Sequence, residues 1–207
     1  MATLTKSEQR QIRNEAILSS LDKLQFATRE HLRQLHDLAG VRNANRILSE
    51  LETAKLIQSF RKEAKIYSLA KAGRDLIGST QEVARKVSYI EHALLRNDAY
   101  LRLGMPDDWR TEERMRFKVH GETVSITPDA TFSHGNIMTF IEIDRTQSMR
   151  ENRKKLERYA HLLPLIEQQF SKPPIVVFFT VSDSRKRRIK QACDEYRVRA
   201  KVYTKSG

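Results

Sequence analysis

Three acidic side chains, Asp129, Glu142 and Asp144, are spaced as a set of cation ligands. Glu142 and Asp144 lie two residues apart in the run MTFIEID, which ends at Asp144. Side chains alternate along an extended strand, so both acids fall on one face while Ile141 and Ile143 fall on the other. Asp129 follows Pro128 in an earlier strand-like run, and only a short loop separates the two runs. Paired as a hairpin, they bring Asp129 towards Glu142. Carboxylates that converge in this way hold a hard divalent cation, Mg²⁺ or Mn²⁺. Such a cation activates water against a phosphodiester. The plain alternative is a Pro-Asp turn beside a half-solvated strand.

Several elements must position these acids. After Asp144 a basic helix runs from about Ser148 to Phe170, with Leu156, Ala160, Leu163, Ile166 and Phe170 as its buried stripe. Pro164 is expected to kink or split it, because proline lacks the N–H of an interior turn. The continuous apolar run from Pro173 to Val181 suits a strand covered on both faces. A basic amphipathic helix over 184–196 buries Ile189, Ala192, Cys193 and Tyr196, and a last strand runs from Ala200 to Thr204. Upstream, 81–103 reads as a connector helix with Val83, Val87, Ile90, Leu94 and Leu101 inward. Gly104 to Asp108 breaks the chain, His120-Gly121-Glu122 is a turn, and Val124 to Ile126 opens the strand that leads to Asp129. The order predicts a mixed sheet with helices against it.

The first third has a different pattern: three helices, a hairpin and a short helix. Thr5 or Ser7 caps the first helix, with Glu8 completing a capping box from Thr5. Its inward positions are Ile12, Ala16, Ile17, Leu21 and Leu24. Thr28 caps a second helix that buries Leu32, Leu35 and Leu38, and Gly40 supplies the next turn. The third helix turns Val41, Ala44, Ile47, Leu48 and Leu51 inward. Its outer face carries Arg42, Asn45, Arg46 and Ser49 at helical spacing. Arginine and asparagine read guanine and adenine edges in the major groove, and the second helix of a helix-turn-helix is the one that enters it. Arg61, Lys62 and Lys65 cluster at the tip of the hairpin, where a wing meets the phosphate backbone. The segment from Lys71 to Gly78 closes the unit.

Composition agrees. The 207 residues carry a formal net charge of +12. An excess this large favours nucleic acid as partner, through release of condensed counterions. An anionic membrane surface is the weaker explanation, because no strongly apolar-faced basic helix is present. No apolar run approaches the length of a membrane span, and the N-terminus has no signal-peptide core. The single cysteine, Cys193, excludes an internal disulfide, and no cysteine cluster is available for zinc. The chain reads as a cytoplasmic protein.

Asp129, Glu142 and the basic helix behind them resemble the PD-(D/E)xK nuclease superfamily, with Asp144 where that pattern has lysine. The whole order of motifs resembles the replication-relaxation family of bacterial plasmids and other mobile elements. The carriers are His92, Asn97 and Tyr100; Trp109 to Glu112; Pro128 to Ala130; Glu142 to Thr146; and Lys155 to Tyr159. The resemblance implies an α+β chain. A winged helix-turn-helix domain would occupy 5–79. A restriction-endonuclease-like domain with an N-terminal connector helix would occupy 80–207. It implies that Glu112, Asp129 and Glu142 match the acids of a catalytic site, with Lys155 swinging in for the missing lysine or remaining a solvated helix residue. It also implies double-stranded DNA as partner, with plasmid replication or conjugation proteins, and it allows a homodimer. Three functions stay open. One is a DNA-binding replication or relaxation protein with a weakly active or inactive nuclease-like domain. The others are a Mg²⁺-dependent nicking enzyme and a winged-helix repressor.

Overall fold

The structure is a computed structural model and describes residues 4–80, 86–119, 122–170 and 172–205. It is an α+β chain that divides into two compact units, 1–97 and 98–207. The division falls inside a helix, not at 79/80 where the pattern changes.

In the first unit, α1 (Lys6–Leu24) begins at Thr5, whose hydroxyl and the Glu8 carboxylate form the expected capping box. Only its later turns are buried, through Ile17, Leu18, Leu21 and Leu24, while Ile12 and Ala16 are exposed. β1 (Ala27–Thr28) precedes α2 (Arg29–His36), which Thr28 caps. The turn into α3 (Val41–Thr53) takes its left-handed backbone from Asp37 and Ala39. Gly40, the expected turn residue, is the extended N-cap of α3. β2 (Ile57–Arg61) and β3 (Lys65–Leu69) pair antiparallel, and β1 adds on the far side of β3 to give the order β1-β3-β2. α4 (Lys71–Ile77) packs so closely on the chain entering the hairpin that a Cβ at Gly73 would lie 2.0 Å from the Leu56 carbonyl oxygen.

α5 (Val87–Arg102) starts inside the expected connector helix; Val83 lies outside the described residues, as do His120 and Gly121. Its first half belongs to the N-terminal unit for a physical reason. Ile90 and Ala93 pack with Phe26 and Ile66. The Asn97 amide donates to the carbonyls of Leu24 (3.2 Å) and Phe26 (2.6 Å).

The second unit is built on a five-stranded sheet of order β10-β9-β8-β7-β4. Its strands are β4 (Arg110–Thr111), β7 (Ala130–His134), β8 (Ile137–Asp144), β9 (Ile175–Thr180) and β10 (Ala200–Thr204). β8, β9 and β10 run parallel, and β7 and β4 close the other side antiparallel, so the sheet is mixed. β5 (Met115–Val119) and β6 (Glu122–Ile126) form a separate hairpin. The strand expected to run from Val124 to Asp129 therefore ends at Ile126, and Asp129 stands just before β7.

One sheet face carries Phe140, Val176 and Phe178 under α6 (Met149–Phe170) and α7 (Asp183–Glu195), which contribute Leu156, Tyr159, Leu162 and Ile189. α6 runs through Pro164 without splitting. Burial of Leu163 and Ile166 beside the proline holds the turn that propensity alone would lose. On the other face, the Arg102 guanidinium stacks over Tyr203 at 4.9 Å and donates to the Thr204 carbonyl at 3.2 Å. The half-solvated strand is ruled out: Glu142 is 3% and Asp144 1% exposed.

Candidate functional site

The β7–β8 hairpin makes the approach that the spacing suggested. Ala130 pairs with Ile141, and one residue earlier the Asp129 N–H donates to the Ile141 carbonyl at 3.0 Å. The Asp129 carboxylate then accepts the Ile143 N–H at 2.6 Å, on the strand that carries Glu142. The Glu112 N–H donates to the Asp129 carbonyl at 3.3 Å, and Glu112 holds a left-handed φ of 54°. A non-glycine residue in that conformation stores strain, and such residues gather at functional sites.

Glu142 points under α6. Its two carboxylate oxygens accept from the Lys155 ammonium and from the Tyr159 hydroxyl, the latter at 2.6 Å. Lys155 and Tyr159 are four apart on one helix and so reach the same point. Lys155 is therefore held beside Glu142 and is not a solvated helix residue. Burial pushes the Glu142 carboxyl above its ordinary range, and the Asp129 charge adds to this against the opposing pull of Lys155. Burial alone would lower the Lys155 amine, but Glu142 and Asp129 outweigh it and raise it. Tyr159 is raised well above its usual value by burial and then by the neighbouring Glu142 charge.

Asp144 has a different role from the one its spacing implied. Its carboxylate accepts from Arg185 Nε at 2.5 Å and Nη2 at 2.7 Å. Asn152 at 2.8 Å and Thr180 at 3.1 Å complete the set. A bidentate arginine with two further donors saturates both oxygens. Asp144 thus ties together β8, β9, α6 and α7. Among the described residues no group of three or more His, Cys, Asp or Glu side chains is placed to hold a metal ion. As arranged, Lys155 occupies Glu142 and Arg185 occupies Asp144, so a divalent cation would compete with these side chains for the acids. No local pattern in the sequence marks Thr180 or Asn152 as partners of Asp144. Arg185 alone left a trace, a basic residue in register with the buried stripe Ile189, Ala192 and Tyr196.

In the N-terminal unit Arg42, Asn45, Arg46 and Ser49 are all exposed on α3. Arg46 is held by Glu50 at 2.5 Å and Asn43 at 2.8 Å, and Arg29 donates to Asn45 at 3.1 Å. At the hairpin tip Arg61 is exposed, Lys62 pairs with Glu91, and Lys65 pairs with Glu52 at 2.7 Å. Exposed pairs of this kind contribute little and exchange readily for other anions.

Taken together, these features define a two-unit α+β protein with a basic N-terminal helix face and a buried acid–lysine cluster in the C-terminal sheet. The chain belongs to the replication-relaxation family, whose model matches residues 18–172 and so spans both units. No curated protein matches. A crystal structure of a Vibrio cholerae protein aligns at 13% identity with a TM-score of 0.38, covering 94% of this chain and 48% of that one. The chain thus spans about half the length of that protein. No helix among the described residues is long and apolar enough to cross a membrane.

Proposed function

We propose that this chain is a DNA-binding protein acting in replication or DNA relaxation, with a winged-helix N-terminal unit and a nuclease-like C-terminal unit of weak or absent cleaving activity. The observation that carries the DNA-binding half is the α3 face. Arg42, Asn45, Arg46 and Ser49 are exposed together on a helix whose other side is buried, beside a basic hairpin. Such a helix fits the major groove, with the hairpin tip on the backbone. Fluorescence anisotropy tests it. Arg42→Ala or Arg46→Ala is expected to weaken binding to a preferred duplex by about 1–3 kcal/mol more than binding to random DNA. Equal weakening on all sequences would reassign both arginines to phosphate contacts.

The wing makes a separate expectation. Lys62 and Lys65 must leave Glu91 and Glu52 to meet phosphates. The double variant Lys62→Ala/Lys65→Ala should lower affinity evenly across sequences. It should flatten the slope of log K against log salt by about 1.8, from 0.9 per lost phosphate contact. An unchanged slope removes the hairpin from the interface.

For the C-terminal unit, Asp129, Glu142 and Lys155 supply two acids and an amine, the residue types of a metal-assisted nuclease. Mg²⁺ or Mn²⁺ would have to displace Lys155 from Glu142. Millimolar Mn²⁺ is therefore expected to raise the melting temperature of Lys155→Ala more than that of the wild type. Supercoiled plasmid incubated with Mg²⁺ or Mn²⁺ should show no nicking above that of Asp129→Ala. Nicking by the wild type that disappears in Asp129→Ala would establish the endonuclease reading instead.

A further inference from the structure

The sheet face opposite α6 and α7 is covered only in part. Strand register lines its residues into rows. Phe132, Thr139, Ile175 and the position of Arg199 form one row, and Ile141, Val177 and Lys201 form the next. Over the first row the face opens into a cavity of about 880 Å³, lined only by residues of the C-terminal unit. That volume is in the range of small-molecule sites, which are mostly apolar with a few polar groups at fixed points. The floor here is Ile137, Thr139, Ile175 and Val177.

The polar groups are sorted by charge. Arg199 and Lys201 stand on the β10 side. Asp107 and Asp108 stand on the β7 side, where Asp108 accepts the Ser133 N–H at 2.8 Å. β10 and β7 are three strand spacings apart, about 14 Å at the usual inter-strand distance. The cavity therefore presents two cations at one end, two carboxylates at the other and an apolar floor between them. An arginine beside a lysine suits a dianionic phosphate. A carboxylate suits a donor edge or a sugar hydroxyl. Phe132, on β7 beside the carboxylates, offers an aromatic ring, and bases stack on such rings. Phe132 is itself braced, stacked on the buried Trp109 at 5.9 Å.

We propose that this cavity binds a purine nucleoside monophosphate, with the phosphate at Arg199 and Lys201 and the base edge at Asp107 and Asp108. Guanine presents adjacent N–H donors to a carboxylate, so guanosine monophosphate is the preferred ligand. The nucleotide arrives either free or as the end of a strand. The site is on the sheet face opposite Glu142 and is independent of the chemistry there.

Trp109 gives the readout, because it is the chain's one tryptophan and touches the cavity wall. Titration of the full chain with guanosine monophosphate should change Trp109 fluorescence saturably. Guanosine and inorganic phosphate should each bind more weakly than the nucleotide. Lys201→Gln should weaken the nucleotide by about tenfold, the effect of one lost charge-assisted hydrogen bond. Asp107→Asn should reduce the preference over adenosine monophosphate. Both residues are exposed, so these variants keep the fold, and an unchanged melting temperature checks it. An oligonucleotide ending in a guanosine phosphate separates the two sources: tighter binding than the free nucleotide identifies a strand end, and weaker binding a free nucleotide. No saturable response to guanosine monophosphate, or an equal response in Lys201→Gln, overturns the site.

Discussion

Arg185→Ala is expected to destabilise the C-terminal unit by about 3 kcal/mol, at the low end of what breaking a buried ion pair costs. The low end applies because the Arg185 side chain is 22% exposed, so water can replace part of the guanidinium, whereas Asp144 is only 1% exposed. The loss is not a matter of one contact. Arg185 also donates to the Gln147 carbonyl at 2.5 Å, so it fixes the turn between β8 and α6 as well as the carboxylate. Removing it leaves Asp144 charged, buried and held only by Asn152 and Thr180. The double variant Asp144→Ala/Arg185→Ala should lose less than the two single variants added together, because it leaves no unpaired charge. Urea unfolding at pH 7 followed by Trp109 fluorescence isolates the right unit, since Trp109 is buried there against Tyr100 and Phe132. A loss below about 1 kcal/mol would mean that the pair behaves as an exposed one.

The same residues show where sequence pattern stops being informative. Alternation placed Glu142 and Asp144 on one face of β8, and the apolar run 173–181 marked β9. Both are local periodicities, and both elements formed. Thr5 and Thr28 were legible as caps because their hydrogen bonds span only three residues. Burial and partnership are not local. Asp144 and Arg185 are 41 residues apart, and nothing in the spacing of either says that they meet. The identity of Glu142 and Asp144 suggested one shared task. Only the packing of α6 over Glu142 and of α7 over Asp144 divides them, one towards a lysine and a tyrosine, the other into an arginine clasp. β1 escaped because two residues carry no period. The turn before α3 was legible from Gly40, but which of its residues take the left-handed backbone, Asp37 and Ala39, was not.

Replacing the acid–lysine pair by neutral groups of similar shape, Glu142→Gln/Lys155→Met, is expected to stabilise the C-terminal unit at pH 7 by about 1–4 kcal/mol. Glutamine keeps an oxygen for the Tyr159 hydroxyl, and methionine keeps the packed stem of Lys155. What disappears is a carboxylate whose charged form is disfavoured by burial and by the Asp129 charge. The pH dependence follows from the direction of that shift. A carboxyl raised above its ordinary 4.5 contributes stability that is fully present below 4.5 and lost as pH rises through the folded value. Lys155 is raised as well, so its contribution persists below its ordinary 10.5 and falls away only in strong alkali. The advantage of the double variant should therefore be smallest near pH 4.5 and grow towards neutrality. Urea unfolding read by Trp109 at both pH values tests the trend. A fold that retains a buried charge pair against its own stability keeps it for work done there, and that work is what Asp129, Glu142 and Lys155 are proposed to share. A wild type more stable than the double variant at pH 7 would make the pair a structural fastening, and the case for a functional cluster beneath α6 would fail with it.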